Sequence, residues 1–228
     1  MKRYTRILIT MGALLASVTL VAAQTSLGLV NKLEVQKLVA DGSPEASATL
    51  ATHFAALADR YATEAAQHKT MAQAYTANAN RAIAPGLAAH CARLADLATE
   101  SAAAAREMAT YHEQLAYGKV TTAPKNAGRL NSGAGAPEPT AVDLHHLAMM
   151  ARTPADHRSL EEYFLTLAKN NAADADMHVA MAQAYRAGVR KGTGDPAAHC
   201  DRLVKLSREA AKEATAAAAT HRQLATIG

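Results

Sequence analysis

From Ser43 onward, apolar side chains recur at intervals of three and four, the spacing that gathers them on one face of an α-helix. One such face reads Leu50, Phe54, Leu57, Tyr61, Glu64, His68, Met71, Tyr75, and another reads Leu160, Phe164, Leu167, Asn171, Asp174, His178, Met181, Tyr185. Two further stretches carry Cys91, Leu94, Ala98, Ser101, Ala105, Met108, His112, Leu115 and Cys200, Leu203, Ser207, Ala210, Ala214, Ala217, His221, Leu224. Start signals agree with this spacing. Ser43-Pro44 and Thr153-Pro154 each offer a hydroxyl cap followed by Pro at the first helical position. Ala84-Pro85-Gly86 and Gly192-Thr193-Gly194-Asp195-Pro196 mark turns. The pattern predicts long helices over roughly 44–80 and 154–188, partner helices running to about 117 and 226, and a short helix at 141–151.

The two halves also resemble each other residue by residue. "HKTMAQAYTANANRAIAPGLAAHCARL" at 68–94 returns as "HVAMAQAYRAGVRKGTGDPAAHCDRL" at 178–203, and His112-x-Gln114-Leu115-Ala116 returns as His221-x-Gln223-Leu224-Ala225. The period, about 110 residues, is too long for the common solenoid units and suits a duplicated helical hairpin. The expected organisation is a signal peptide at 1–23, a first hairpin repeat at 24–117, a flexible linker at 118–140 and a second hairpin repeat at 141–228. The expected fold is all-α: a four-helix, up-down-up-down bundle, the simplest way to join two hairpins. Equivalent residues of the two halves would then meet at one level. The long linker also permits antiparallel hairpins, which would bring His68 near His221 and His178 near His112.

Composition narrows the setting. Lys2, Arg3 and Arg6 precede an apolar run from Ile7 to about Ala23, ending in Val21-Ala22-Ala23-Gln24, which reads as a secretory leader cleaved before Gln24. No Cys follows the run, so a lipid anchor is not expected, and the expected compartment is the periplasm or the exterior of the cell. The formal charge of +4 includes those three leader residues, so the mature chain is close to neutral. With no basic stripe and no Trp, nucleic acid is excluded as a partner. Half the residues are hydrophobic, but aromatics supply only 4% and Ala a large share. Such a core is thin and built from close helix contacts. No membrane span is expected after leader cleavage.

The candidate chemistry lies on the apolar faces. A polar side chain turned into a core costs about 1–3 kcal/mol unless it finds a partner. Glu64 with His68, and Asp174 with His178, stand one helical turn apart, and Met71 and Met181 follow on the same face. His90-Cys91, His199-Cys200, His112 and His221 complete a repeated set of His, Cys and carboxylate, the common ligand types for transition metals in bundle cores. Adjacent His90 and Cys91 point about 100° apart on a helix, a poor arrangement for proton transfer, so a Cys–His nucleophile is not expected. The signatures CxxC, CxxCH, HExxH and GxGxxG are absent. His145, His146, His53 and His157 have no repeated counterpart and are assigned to the surface or linkers.

Two functions follow as expectations. The first is an exported, non-enzymatic bundle that binds copper or zinc through the repeated positions, with haem held between His68 and His178 as a variant. The second is a cell-envelope structural or interaction protein with core histidines and a Cys91–Cys200 disulfide staple. The expected partner is a metal ion or an envelope protein, and the long Ala-rich helices are compatible with a homo-oligomer.

Overall fold

The structure, a computed structural model, describes residues 28–78, 85–117, 140–188 and 195–227. Among them the regular elements are six α-helices and no strand: α1 Lys32–Asp41, α2 Pro44–Ala77, α3 Pro85–Tyr117, α4 Ala141–Met150, α5 Pro154–Ala187 and α6 Pro196–Ile227. The expected leader at 1–23 and residues 118–139 of the expected linker lie outside the described residues.

Local chemistry sets the helix boundaries. The Ser43 hydroxyl accepts the Ala46 N–H at 3.1 Å. Thr153 accepts the Asp156 N–H at 3.2 Å while the Asp156 carboxylate accepts the Thr153 N–H at 3.0 Å, a reciprocal cap. Pro44 and Pro154 stand just inside these caps, where a missing N–H costs nothing. Helix α1 was not anticipated by the apolar spacing, because only Val35 and Val39 of its ten residues are buried. Its signals are at its ends. Asn31 accepts the Glu34 N–H at 3.0 Å, and Gly42 leaves the helix in the left-handed region at φ 64°, where a glycine is unstrained. Helix α4 begins in the same manner, with Thr140 and Asp143 forming a reciprocal cap.

Helices α2 and α3 pack as one hairpin and α5 and α6 as another. The hairpins meet closely along α3 and α6, whose buried Ala98, Ala102, Ala105, Ala210, Ala214 and Ala217 are small enough for close approach. Helices α2 and α5 carry the bulky side chains and touch through them. Arg60 forms an ion pair with Asp174, and the His68 ring stacks on Phe164. The short helices α1 and α4 each rest against both α2 and α5. Asn78, at the end of α2, donates to the Ala148 carbonyl of α4 at 3.3 Å.

The up-down-up-down chain order is not what these contacts describe. Along the α3–α6 seam, His90 pairs with Glu213, Arg93 with Glu209 at 2.9 Å, and Glu107 with His199 at 3.1 Å, so residue numbers rise in opposite directions. The hairpins are antiparallel, with the tip of each beside the open end of the other. Charge supplies a reason. In the expected order His90 would face His199 and Arg93 would face Arg202, whereas reversing one hairpin sets each basic tip beside the carboxylates of the other. Neighbouring helices then also run with opposed dipoles.

The core divides accordingly. One cluster joins Met71, Tyr75, Cys91 and Leu94 to Leu160, Phe164, Ala214 and Ala217. The other joins Leu50, Phe54, Tyr61 and Met108 to Met181, Cys200 and Leu203. Each mixes the tip half of one hairpin with the open half of the other.

Candidate functional site

Each cluster holds a nest of aromatic and imidazole rings. In the first, the Tyr75 hydroxyl lies 2.9 Å from His221 Nε2. The His221 ring stacks on Phe164, centroids 5.6 Å apart and 14° from parallel. His68 stacks on the same Phe164 at 6.3 Å and 18°. At the bundle end, His157 Nδ1 stands 3.2 Å from His221 Nδ1. Tyr75 comes from the end of α2, His221 from the end of α6 and His157 from the first turn of α5, so the antiparallel packing of the hairpins assembles the nest.

The second cluster is built from related positions. The Tyr185 hydroxyl is 2.6 Å from His112 Nε2, and His112 stacks on Phe54 at 5.7 Å and 6°. The Tyr61 hydroxyl donates to Asp174 Oδ2 at 3.2 Å and lies 3.4 Å from His178 Nε2. Asp174 is also ion-paired to Arg60, whose guanidinium covers the Tyr61 ring. His53 Nδ1 accepts the Val30 N–H at 3.3 Å, tying the segment before α1 to α2.

Burial dominates the electrostatics of both nests, since a charged imidazole loses its hydration there. It pushes His53 and His68 down to about 4, with Arg60 adding to the effect at His53. It pushes His178 and His221 down to about 3, helped by His53 and Arg60 in the first case and by His157 and His90 in the second. These rings are neutral at pH 7. Burial likewise pushes the Cys91 and Cys200 thiols up to about 12, which holds both protonated and unreactive. Not every ring nitrogen is satisfied. Both nitrogens of His68, Nε2 of His53 and Nδ1 of His178 are buried without a hydrogen-bond partner. The carboxylate expected to serve His68 approaches only to 3.9 Å, from Glu64 Oε1 to Nε2.

Of the repeated residues on which a metal site was expected, His68, His112, His178, His221, Cys91 and Cys200 are buried and Glu64, Asp174, His90 and His199 only partly so, and the set is dispersed. Asp174 serves Arg60 and Tyr61, His112 and His221 serve tyrosines, and His90 and His199 sit at half-exposed ion pairs with Glu213 and Glu107. His68 and His178 do not meet. The first lies against Phe164, fourteen residues before the second on α5, which at ~1.5 Å per residue leaves the rings on the order of 15 Å apart, too far for one haem or one ion. Among the described residues no three His, Cys, Asp or Glu side chains gather as a metal-holding group. The expected Cys91–Cys200 staple is not formed. Both thiols are free, and they occupy different core clusters because the hairpin tips lie at opposite ends of the bundle.

Two assignments made from the sequence are corrected. His53 and His157, placed on the surface for lack of a repeated counterpart, are 0% and 6% exposed. The signal was available in the spacing. His53 stands three after Leu50 and four before Leu57, and His157 three before Leu160, so both belong to the apolar face. Tyr61 and Arg60, which bind Asp174, carry no sequence signal for that role, because spacing places Tyr61 on the apolar face without showing which side chain of the other hairpin it meets.

No described helix is long and apolar enough to cross a membrane. Compared with protein-family models, with curated proteins and with solved structures, the chain finds no match.

Proposed function

We propose that the chain is an exported, non-enzymatic helical-bundle protein of the cell envelope, a structural or interaction module made from a duplicated hairpin. Histidine–tyrosine pairs between its two copies hold it together. The observation that carries this reading is the crossed pairing of Tyr75 with His221 and of Tyr185 with His112. It answers why both halves write the same His and Tyr. Each copy supplies a tyrosine to the other's histidine, and these two pairs form only when both hairpins are in place. Duplication of the unit α1–α2–α3 as α4–α5–α6 is supported by the helix lengths, 10, 34 and 33 residues against 10, 34 and 32.

The competing proposal is binding of copper, zinc or haem through the repeated His, Cys and carboxylate positions. One melting experiment separates the two. Mature protein stripped with a chelator is compared with protein given copper, zinc or haemin, alongside His68→Gln and His178→Gln. On the structural reading the stripped protein is fully folded, and each substitution, which buries a Gln amide where a ring was packed, costs the same stability whether or not metal is present. A metal-induced rise in Tm that disappears in His68→Gln or His178→Gln would overturn it in favour of ligation by the repeated set.

A further inference from the structure

The closest approach between two imidazoles in the structure does not involve a repeated position on both sides. His157 Nδ1 and His221 Nδ1 face each other at 3.2 Å, with the rings tilted by 34°. Two nitrogens each ~2.0–2.1 Å from one ion, at angles between a right angle and the tetrahedral value, lie about 2.9–3.4 Å apart. In the structure the two nitrogens share a hydrogen bond, and their separation also matches that of two neighbouring ligands of a single ion. The second shell is also present. Tyr75 holds His221 by Nε2 at 2.9 Å, which orients the ring and leaves Nδ1 to face His157. Phe164 packs flat against His221 and fixes its plane. His157 stands in the first turn of α5, where the helix N-terminus favours a neutral imidazole over a charged one. The site lies where α5 begins and α6 ends, at an end of the bundle.

We propose that His157 and His221 form a two-imidazole site for one transition-metal ion of the copper or zinc class, its remaining coordination positions taken by water or by a donor from another molecule. Imidazole suits both ions as a ligand. The site shares only His221 with the repeated set considered above, and His157 is outside that set. The position matching His157 in the first hairpin is Ser47, which carries no imidazole. One ion per chain is expected at this site.

The test uses the untagged mature protein. Zinc binding is followed by calorimetry, and Cu(II) binding by the nitrogen hyperfine pattern of its electron paramagnetic resonance spectrum. The expected result is one ion per chain with two imidazole nitrogens on copper. His157→Asn should weaken binding by ~10-fold or more and remove one nitrogen from the spectrum. His157→Ser, which copies Ser47, should do the same and supplies a second variant if the first folds poorly. The adjacent histidines of α4 are controlled by His145→Ala/His146→Ala, which should bind as the parent does. Equal affinity in the parent and both His157 variants, loss of binding in the His145/His146 variant instead, or no binding of either ion at micromolar concentration would each overturn the proposal.

Discussion

Tyr75 near the end of α2 and His221 near the end of α6, 146 positions apart in the chain, place a hydroxyl and a ring nitrogen 2.9 Å from each other inside the core. The contact exists only because the tip of the first hairpin lies beside the open end of the second, and Tyr185 with His112 repeats it at the other end. Removing the hydroxyl leaves His221 Nε2 buried without that partner. Tyr75→Phe should therefore lower stability by about 1–3 kcal/mol with little change in packing. Urea unfolding measures the cost. A loss below ~0.5 kcal/mol, the range of an ordinary surface change, would show that the bond contributes little.

Acid should destabilise the protein well before its carboxylates titrate. Burial holds His53 and His68 at about 4, and His178 and His221 at about 3, whereas each titrates near 6.5 in the unfolded chain. Below 6.5 the unfolded state binds protons that the folded state refuses, so stability rises with pH. The loss begins as pH falls through about 6.5. It grows by up to ~1.4 kcal/mol per pH unit for each such histidine until its folded value is reached. Urea midpoints at pH 5 and pH 7.5 should differ strongly, and His68→Leu should flatten the dependence by about one proton. Identical midpoints at the two pH values would mean that these rings are not buried neutral.

The cysteines should behave as inert core residues. Cys91 and Cys200 are fully buried, free, and pushed up to about 12. Alkylation of the native protein at pH 8 should label neither within minutes, and both should react once urea unfolds the chain. A native protein whose thiols appear only after reduction would restore the staple.

Hairpin direction can be read chemically. Arg93 and Glu209 face each other across α3 and α6, with side-chain atoms 2.9 Å apart, whereas Arg93 and Arg202 belong to different ends of that seam. Arg93→Cys/Glu209→Cys should therefore be joined by a short bis-maleimide, and Arg93→Cys/Arg202→Cys should not. The opposite outcome would support parallel hairpins.

Much of this protein was legible from its sequence because helix formation and amphipathic burial are local. A three-to-four spacing places Leu50, Phe54, His68 and Tyr75 on one face wherever that helix docks, and they are buried. Ser43-Pro44 and Thr153-Pro154 start their helices through bonds that span three residues. Helix α1 escaped notice because two buried valines make no period, although Asn31 and Gly42 mark its ends.

Tertiary structure alone decided which buried groups meet. Every face pattern is the same whether the hairpins lie parallel or antiparallel, so spacing could not distinguish a Cys91–Cys200 bridge from two separated thiols, or His68 beside His178 from His68 beside His221. The choice was made by long-range terms that periodicity does not contain. Hairpins laid parallel would set His90 beside His199 and Arg93 beside Arg202, while the antiparallel arrangement pairs His90 with Glu213, Arg93 with Glu209 and Arg60 with Asp174. Small alanines on α3 and α6 let those helices close, and the aromatic rings of α2 and α5 fill the wider side, where the two histidine nests form.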